Sequence, residues 1–292
     1  MTLNSYFPQF LEWMHAGGAS EHTIRAYHRA LKRLGEALGP EAPQEALNAF
    51  PLQNFVGVLR LEELADSSVG QALAAAKSFV SWATAEGIYG DNFAKAVRGP
   101  RRQPRIPIVP TIGEMKHMLD GEAVPSGWPE RDRLVLELLY GCGLRNSELI
   151  GLNLEDRIKQ DELIIRGKGK KERTVPMGEH GIAALDNYLP GRKTVLRSTD
   201  AIALVLNRRG GRMTTRSIGR MVKHIAQAKG LSSDIHPHSF RHACAGHMLE
   251  NGVHLTDIQK LLGHSRLATT LLYGGGPTWK RMSESYDRTI KR

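Results

Sequence analysis

Two cysteines in 292 residues, Cys142 and Cys244, are too few for a disulfide framework, and neither has neighbours at a zinc-ligand spacing. Both read as reduced, buried small hydrophobes of a cytoplasmic protein. No apolar run approaches the roughly 20 residues that span a bilayer. The start, Met1-Thr2-Leu3-Asn4, lacks the basic residues and long apolar stretch of a secretory signal. A Gly-x-x-x-x-Gly-Lys-Ser/Thr loop for nucleotide phosphates is missing, and so is an obvious carboxylate cluster for a metal. No internal repeat or low-complexity tract stands out. Secreted disulfide scaffolds and membrane spans are thereby set aside.

Negative charge is also in short supply. Forty Lys and Arg against thirty Asp and Glu leave a net charge of +10. That excess suits a polyanionic partner and salt-sensitive association, although charge alone fits a merely soluble basic protein equally well. Apolar residues at 41% and charged ones at 24% describe an ordinary globular chain, long enough for two domains.

Residues 1–98 read as helical throughout. Phe7, Phe10, Leu11 and Met14 recur at helical spacing between Leu3 and His15, and Gly17 and Gly18 end that helix. Ser20 is the expected N-cap of a helix from Glu21 to Leu38. One face of that helix carries Ile24, Tyr27, Leu31 and Leu34, the other Arg25, His28, Arg29, Lys32 and Arg33. A third helix centres on Leu52 to Leu59. A fourth runs from Ser67 or Ser68 to about Glu86, with Val69, Leu73, Ala76, Phe79, Val80 and Ala83 as its apolar stripe. Four such helices make a bundle. Residues 99–110 then form a basic, proline-rich linker. From Arg98 to Pro110 there are four prolines and four arginines in thirteen residues, which stops any helix and favours an extended strap. Residues 111–292 read as mostly helical with one β-hairpin, Leu163–Arg166 and Arg173–Met177 around a glycine-rich turn. The expected fold is therefore mainly α with a small β element in the second domain.

Four segments of the second domain concentrate groups suited to a phosphate. Gly141 and Gly143 break an apolar helix carrying Leu134, Leu138 and Leu139, and Asn146 or Ser147 is placed to cap the next, so Arg145 falls at a helix entrance. Lys168, Lys170 and Lys171 crowd the hairpin turn. After Pro237, a helix starting near Ser239 sets His238 and Arg241 on neighbouring positions of one face. Thr256 reads as an N-cap and Gly263 as a C-terminal stop around Ile258, Leu261 and Leu262; His264 lies just beyond, and Tyr273 precedes three glycines that offer a hinge. Taken singly, each has a bland explanation: a structural arginine, a solvated turn, a polar surface histidine.

Together and in order, Leu144-Arg-Asn-Ser-Glu148, Gly167-Lys-Gly-Lys-Lys-Glu-Arg173, His238-Ser-Phe-Arg-His242 and Leu262-Gly-His-Ser265 with Thr269, Thr270 and Tyr273 resemble the signature of the tyrosine recombinases, nearest the Xer type. The resemblance covers the whole chain, since Ala19 to Tyr27 is similar to the family's amino-terminal core-binding domain and Asn207 to Thr214 also matches. It implies a core-binding four-helix domain at 1–98 and a catalytic domain at 111–292 with a tail at 277–292. It implies a clamp on the scissile phosphate from Arg145 and Arg241, a general acid at Lys168, a proton-handling histidine at His238 and a further donor at His264. Glu148 is implied as a supporting acid and Tyr273 as the nucleophile. DNA contacts are expected from Arg25, Arg29, Lys32, Arg101, Arg102 and Arg105.

The implied activity is site-specific cleavage and rejoining of DNA through a 3′-phosphotyrosine, with no cofactor, as in resolution of chromosome or plasmid dimers. The implied partners are a double-stranded recombination site and three further protomers, as a homotetramer or with a related recombinase, in the cytoplasm at the nucleoid and not at a membrane. The tail, with Trp279, Met282 and Tyr286, is expected to dock on a neighbouring protomer. Gly274 to Gly276 depart from the threonine and histidine of many relatives, which puts that docking geometry in question. The chain is expected to lack the extra arm-binding domain of many phage integrases. A mobile-element integrase or resolvase, a type IB topoisomerase and a DNA-binding protein without catalysis remain the alternatives.

Overall fold

The computed structural model describes residues 1–100, 109–120, 127–167, 172–195 and 202–263. The chain divides into two compact units, Met1–Arg105 and Ile106–Arg292.

In the first unit, a 3-10 turn at Leu3–Ser5 leads into α1 (Tyr6–Ala16), followed by α2 (Glu21–Leu38), α3 (Ala49–Leu61) and α4 (Asp66–Ala85). The expected start of the first helix at Leu3 is thus a tighter turn, and α4 begins before Ser67. Ser20 caps α2 by accepting the Thr23 N–H at 3.2 Å, which satisfies one of the donors a helix start leaves open. The core is built where the apolar spacings meet: Phe7, Phe10, Leu31, Leu34, Leu52 and the whole predicted stripe of α4 are buried. Phe79 meets Phe7 edge-on at 5.0 Å between ring centres and Phe10 at 5.7 Å. The opposite face of α2 keeps Arg25, His28, Arg29, Lys32 and Arg33 in solvent.

The second unit contains α5 (Ile112–Asp120), α6 (Pro129–Tyr140), α7 (Asn146–Gly151), strands β1 (Arg157–Lys159), β2 (Glu162–Arg166) and β3 (Glu172–Pro176), then α8 (Glu179–Val195), α9 (Thr215–Ala228), α10 (Pro237–Glu250) and α11 (Leu255–Leu262). The anticipated hairpin is present as β2 and β3, in antiparallel register from Glu162↔Pro176 to Arg166↔Glu172. β1 extends it to three strands in the order β1-β2-β3. A three-residue strand is too short to show a period-two pattern, so its sequence carries no signal. α6 is buried almost all round and packs on α8 and α10. At its end the Tyr140 hydroxyl and His247 Nδ1 lie 2.9 Å apart, tying α6 to α10 within the core. Cys142 and Cys244 are buried and form no disulfide, and burial pushes the Cys244 thiol up to about 12, so it stays protonated.

Candidate active site

Three turns of the second unit bring the site together. Gly141 closes α6 in helical conformation, while Gly143 takes the left-handed region at φ +58°. A side chain at Gly143 would place its Cβ 2.5 Å from Leu262 and 3.2 Å from the Cys244 sulfur, so glycine is required both by backbone angle and by space. This turn delivers Arg145 to the start of α7. Neither Asn146 nor Ser147 is the cap: Arg145 itself holds the N-cap position, and the Glu148 carboxylate accepts its backbone N–H at 2.8 Å. The helix entrance therefore already holds an anion supplied by the protein.

α10 begins at Pro237, two residues earlier than expected, because His236 acts as the cap: its Nδ1 accepts the Ser239 N–H at 3.3 Å. Proline at the first helical position costs no hydrogen bond there. His238 and Arg241 then sit three residues apart in one helix, with opposite environments. Arg241 is 5% exposed, while His238 faces outward. α11 is capped at His254 rather than Thr256, whose hydroxyl is buried without a partner. Gly263 ends it in the left-handed region at φ +62°, as a glycine at this position should.

Glu148 is the centre of the arrangement. Its carboxylate, 4% exposed, receives Arg145 Nη1 at 2.7 Å and a two-point grip from Arg173 at 2.8 and 2.9 Å, with Arg241 Nη1 at 3.7 Å. Burial raises its pKa, but hydrogen bonds from the Arg173 guanidinium and the Arg145 backbone, with the Arg173 charge and the Arg145 side chain, bring it down to about 2. The same arginines hold the last carbonyls of α11. Arg173 Nε donates to Leu261 O at 2.8 Å, Arg241 Nη2 donates to Leu262 O, and Arg145 reaches Leu262 O and Gly263 O at 3.5 and 3.3 Å. Arg241 also donates to Gly143 O at 2.6 Å. The carbonyls of Leu261, Leu262 and Gly263 are the negative end of the α11 dipole, so guanidiniums complement them.

Three guanidiniums around one carboxylate leave an excess of positive charge in a poorly hydrated place. Burial, then the charge of Arg145, lowers the Arg241 pKa to about 10, which leaves it cationic near neutrality. Partial burial, and after it the charges of His236, His242, Arg241 and Arg145, depress the His238 pKa. Its imidazole is thus neutral near pH 7 and able to take a proton.

The structure brings together Arg145, Glu148, His238 and Arg241 of the expected site. Lys168, His264 and Tyr273 lie outside the described residues, as do Arg101, Arg102, Arg105 and the tail 277–292; Gly263, the residue before His264, is in the cluster. Arg25, Arg29 and Lys32 lie exposed on α2 of the first unit. Sequence reading missed the contribution of Arg173, although it stands in the hairpin motif, because strand alternation does not say what its side chain reaches. It also missed the exposed face of α9, where Arg216, Arg220, Lys223 and His224 recur at helical spacing.

Residues 114–274 match the phage integrase family, and residues 7–87 match the phage integrase N-terminal SAM-like domain. The chain is 32% identical over 256 residues to tyrosine recombinase XerC of Alcanivorax borkumensis, covering 87% of this chain and 83% of that protein. It is 35% identical over 278 residues to tyrosine recombinase XerC of Thermodesulfovibrio yellowstonii, covering 93% and 91%. In fold it is similar to lambda integrase crystallised as a dimer bound to a core site, with TM-score 0.73, 18% identity and coverage of 94% and 99%. It is likewise similar to lambda integrase as a tetramer bound to a Holliday junction, with TM-score 0.71, 19% identity and coverage of 98% and 78%. With a catalytic-domain match over more than half its length and relatives above 30% identity along most of it, the chain belongs to the phage integrase family of tyrosine recombinases.

Proposed function

We propose that this protein is an Xer-like site-specific recombinase that cuts and rejoins DNA strands, with Tyr273 as nucleophile. The observation that carries the reading is the convergence of Arg145 and Arg241 around Glu148 and the carboxyl end of α11, one residue before His264 and ten before Tyr273. A phosphodiester repels nucleophiles and gathers charge on its non-bridging oxygens as it reacts. Guanidiniums already fixed and partly desolvated stabilise that charge without reorganising.

In this mechanism the Tyr273 hydroxyl, of ordinary pKa about 10, gives its proton to neutral His238 as its oxygen attacks phosphorus. The bond from phosphorus to the 5′ oxygen breaks, and Lys168 protonates that leaving oxygen. Arg145, Arg241 and His264 hold the non-bridging oxygens throughout. The 3′-phosphotyrosine keeps the bond energy, so a 5′ hydroxyl from a second duplex reverses the step without ATP or cofactor.

The domain limits follow the same reading: a core-binding domain at 1–98, a strap at 99–110 and a catalytic domain at 111–292. Arg25, Arg29 and Lys32 on α2, and Arg101, Arg102 and Arg105 in the strap, are assigned to phosphate contacts, to which the basic face of α9 adds Arg216 and Arg220. The partners are double-stranded DNA and further protomers, four on two duplexes, alike or paired with a related recombinase, with the tail after Gly276 docking on a neighbour. Among the described residues no helix is long and apolar enough to cross a membrane, and the assigned place of action is the cytoplasm, at the nucleoid. The test uses nicked suicide duplexes drawn from candidate recombination sites of the host, with wild type and Tyr273→Phe side by side on a denaturing gel. A covalent adduct formed by wild type alone is the expected result. Adducts from both proteins would remove Tyr273 from its role, and binding without any adduct on every site tried would favour a DNA-binding protein without catalysis.

A further inference from the structure

The arginines of the cluster divide into two kinds. Arg145 is about one-third exposed at its side chain, and its bonds to α11 are long, 3.3 and 3.5 Å. Arg173 is 14% exposed, and all three of its guanidinium nitrogens are engaged within the protein at 2.8 to 2.9 Å. Two of them meet the two oxygens of Glu148 in parallel, the fork geometry that only arginine supplies. The third holds Leu261 O, and the flat side chain lies under Gly263, where an added Cβ would come within 3.1 to 3.3 Å of it. Arg173 is thus a spacer between a buried carboxylate and the last turn of α11, with no nitrogen left uncommitted.

Without it, Glu148 would keep its negative charge among two cations only. Arg241, now 3.7 Å from the carboxylate, would then be drawn onto it beside Arg145, a shift that takes donors from a phosphate, and the last turn of α11 would lose its hydrogen bond at Leu261 O. We propose that Arg173 is a positioning residue of the cleavage reaction: it neutralises Glu148 and fixes the carboxyl end of α11, so that Arg145 and Arg241 stay available to substrate. This rests on the recombinase reading above.

The test compares wild type, Arg173→Gln, Arg173→Lys and the double variant Arg173→Gln/Glu148→Gln as full-length chains, on the nicked duplex that wild type cleaves. Duplex affinity and the adduct rate at saturating protein are measured separately. Arg173→Gln is expected to bind within about threefold of wild type yet form adduct about a hundredfold or more slowly, the scale of a lost preorganised donor. Neutralising Glu148 in the double variant is expected to restore about tenfold of that rate, because no unbalanced carboxylate then competes for the arginines. A residue that merely props up the fold gives no such recovery. An Arg173→Gln rate within about threefold of wild type, or a double variant no faster than the single, overturns the proposal. Should Arg173→Gln show no cooperative melting, Arg173→Lys decides: it keeps the charge and loses the fork, so a rate about tenfold down at unchanged affinity supports the role and a wild-type rate overturns it. Failure of wild type itself to form adduct is a different result. It removes the recombinase reading, and the proposed role of Arg173 falls with it.

Discussion

The exposed face of α2 and the arginine cluster around Glu148 use the same side chains to opposite ends. On α2, Arg25 and Lys32 stand about two-thirds exposed, each with an acidic neighbour one turn away at 3.9 Å. Such pairs are hydrated, screened by salt and contribute little to stability. Around Glu148 the guanidiniums of Arg173 and Arg241 are stripped of most water, hold carbonyls and a carboxylate at short range, and cannot leave without exposing a buried charge. The first region offers a field that reaches any polyanion. The second offers a geometry. A recombinase needs both: long-range attraction to bring a duplex in, and fixed donors for one phosphate.

The largest break in this comparison comes from Glu148. Replacing it with Gln leaves three buried or half-buried cations without their counter-charge, and should cost about 3–5 kcal/mol in urea denaturation. The pH dependence carries the same signature. The folded carboxyl titrates at about 2, below the unfolded value of about 4.3. Its stabilisation is therefore complete above the unfolded value and is lost as pH falls through the folded one. Glu148→Gln should flatten this acid limb, and a limb unchanged in the variant would detach it from Glu148.

Gly143→Ala comes next. Its Cβ would enter the space of Leu262 and Cys244 from a left-handed backbone, at an expected cost of about 2–3 kcal/mol. Chemical denaturation measures it, and a loss below about 0.5 kcal/mol would mean that this turn is not what presses α11 against the cluster. In the first unit, Ser20→Ala removes the α2 cap and should cost about 1 kcal/mol in the same assay.

The smallest stability effect, and the sharpest contrast, belongs to the basic face itself. Arg25, Arg29 and Lys32 changed together to Gln should alter stability by no more than about 0.5 kcal/mol. DNA affinity should nonetheless fall, with the slope of log affinity against log salt shrinking by about 0.9 for each phosphate that the variant no longer neutralises. An unchanged slope would remove α2 from the interface.

These two regions were not equally legible. The α2 face appears in the sequence because a helix repeats every 3.6 residues, and Ile24, Tyr27, Leu31 and Leu34 on one side leave the arginines on the other. Ser20 as its cap and Gly263 as the stop of α11 were readable for a similar reason, since each acts on its immediate neighbours. The cap of α7 was not. Serine and asparagine are the usual capping residues, but here a carboxylate three positions inside the helix accepts the N–H, and Arg145 takes the cap position. Nor was β1, which exists only because β2 offers it an edge.

Periodicity and short motifs thus determined the four helices of the first unit, the hairpin of the second, the family and the identities of Arg145, Glu148, His238 and Arg241 as candidates. Only the tertiary structure decided that Arg173 belongs with them and that Glu148 binds them together. Arg173 is 25 positions from Glu148 and 88 from Leu261. Contacts at that separation depend on how β3, α7 and α11 pack, and packing is a property of side chains meeting in space that no local spacing encodes.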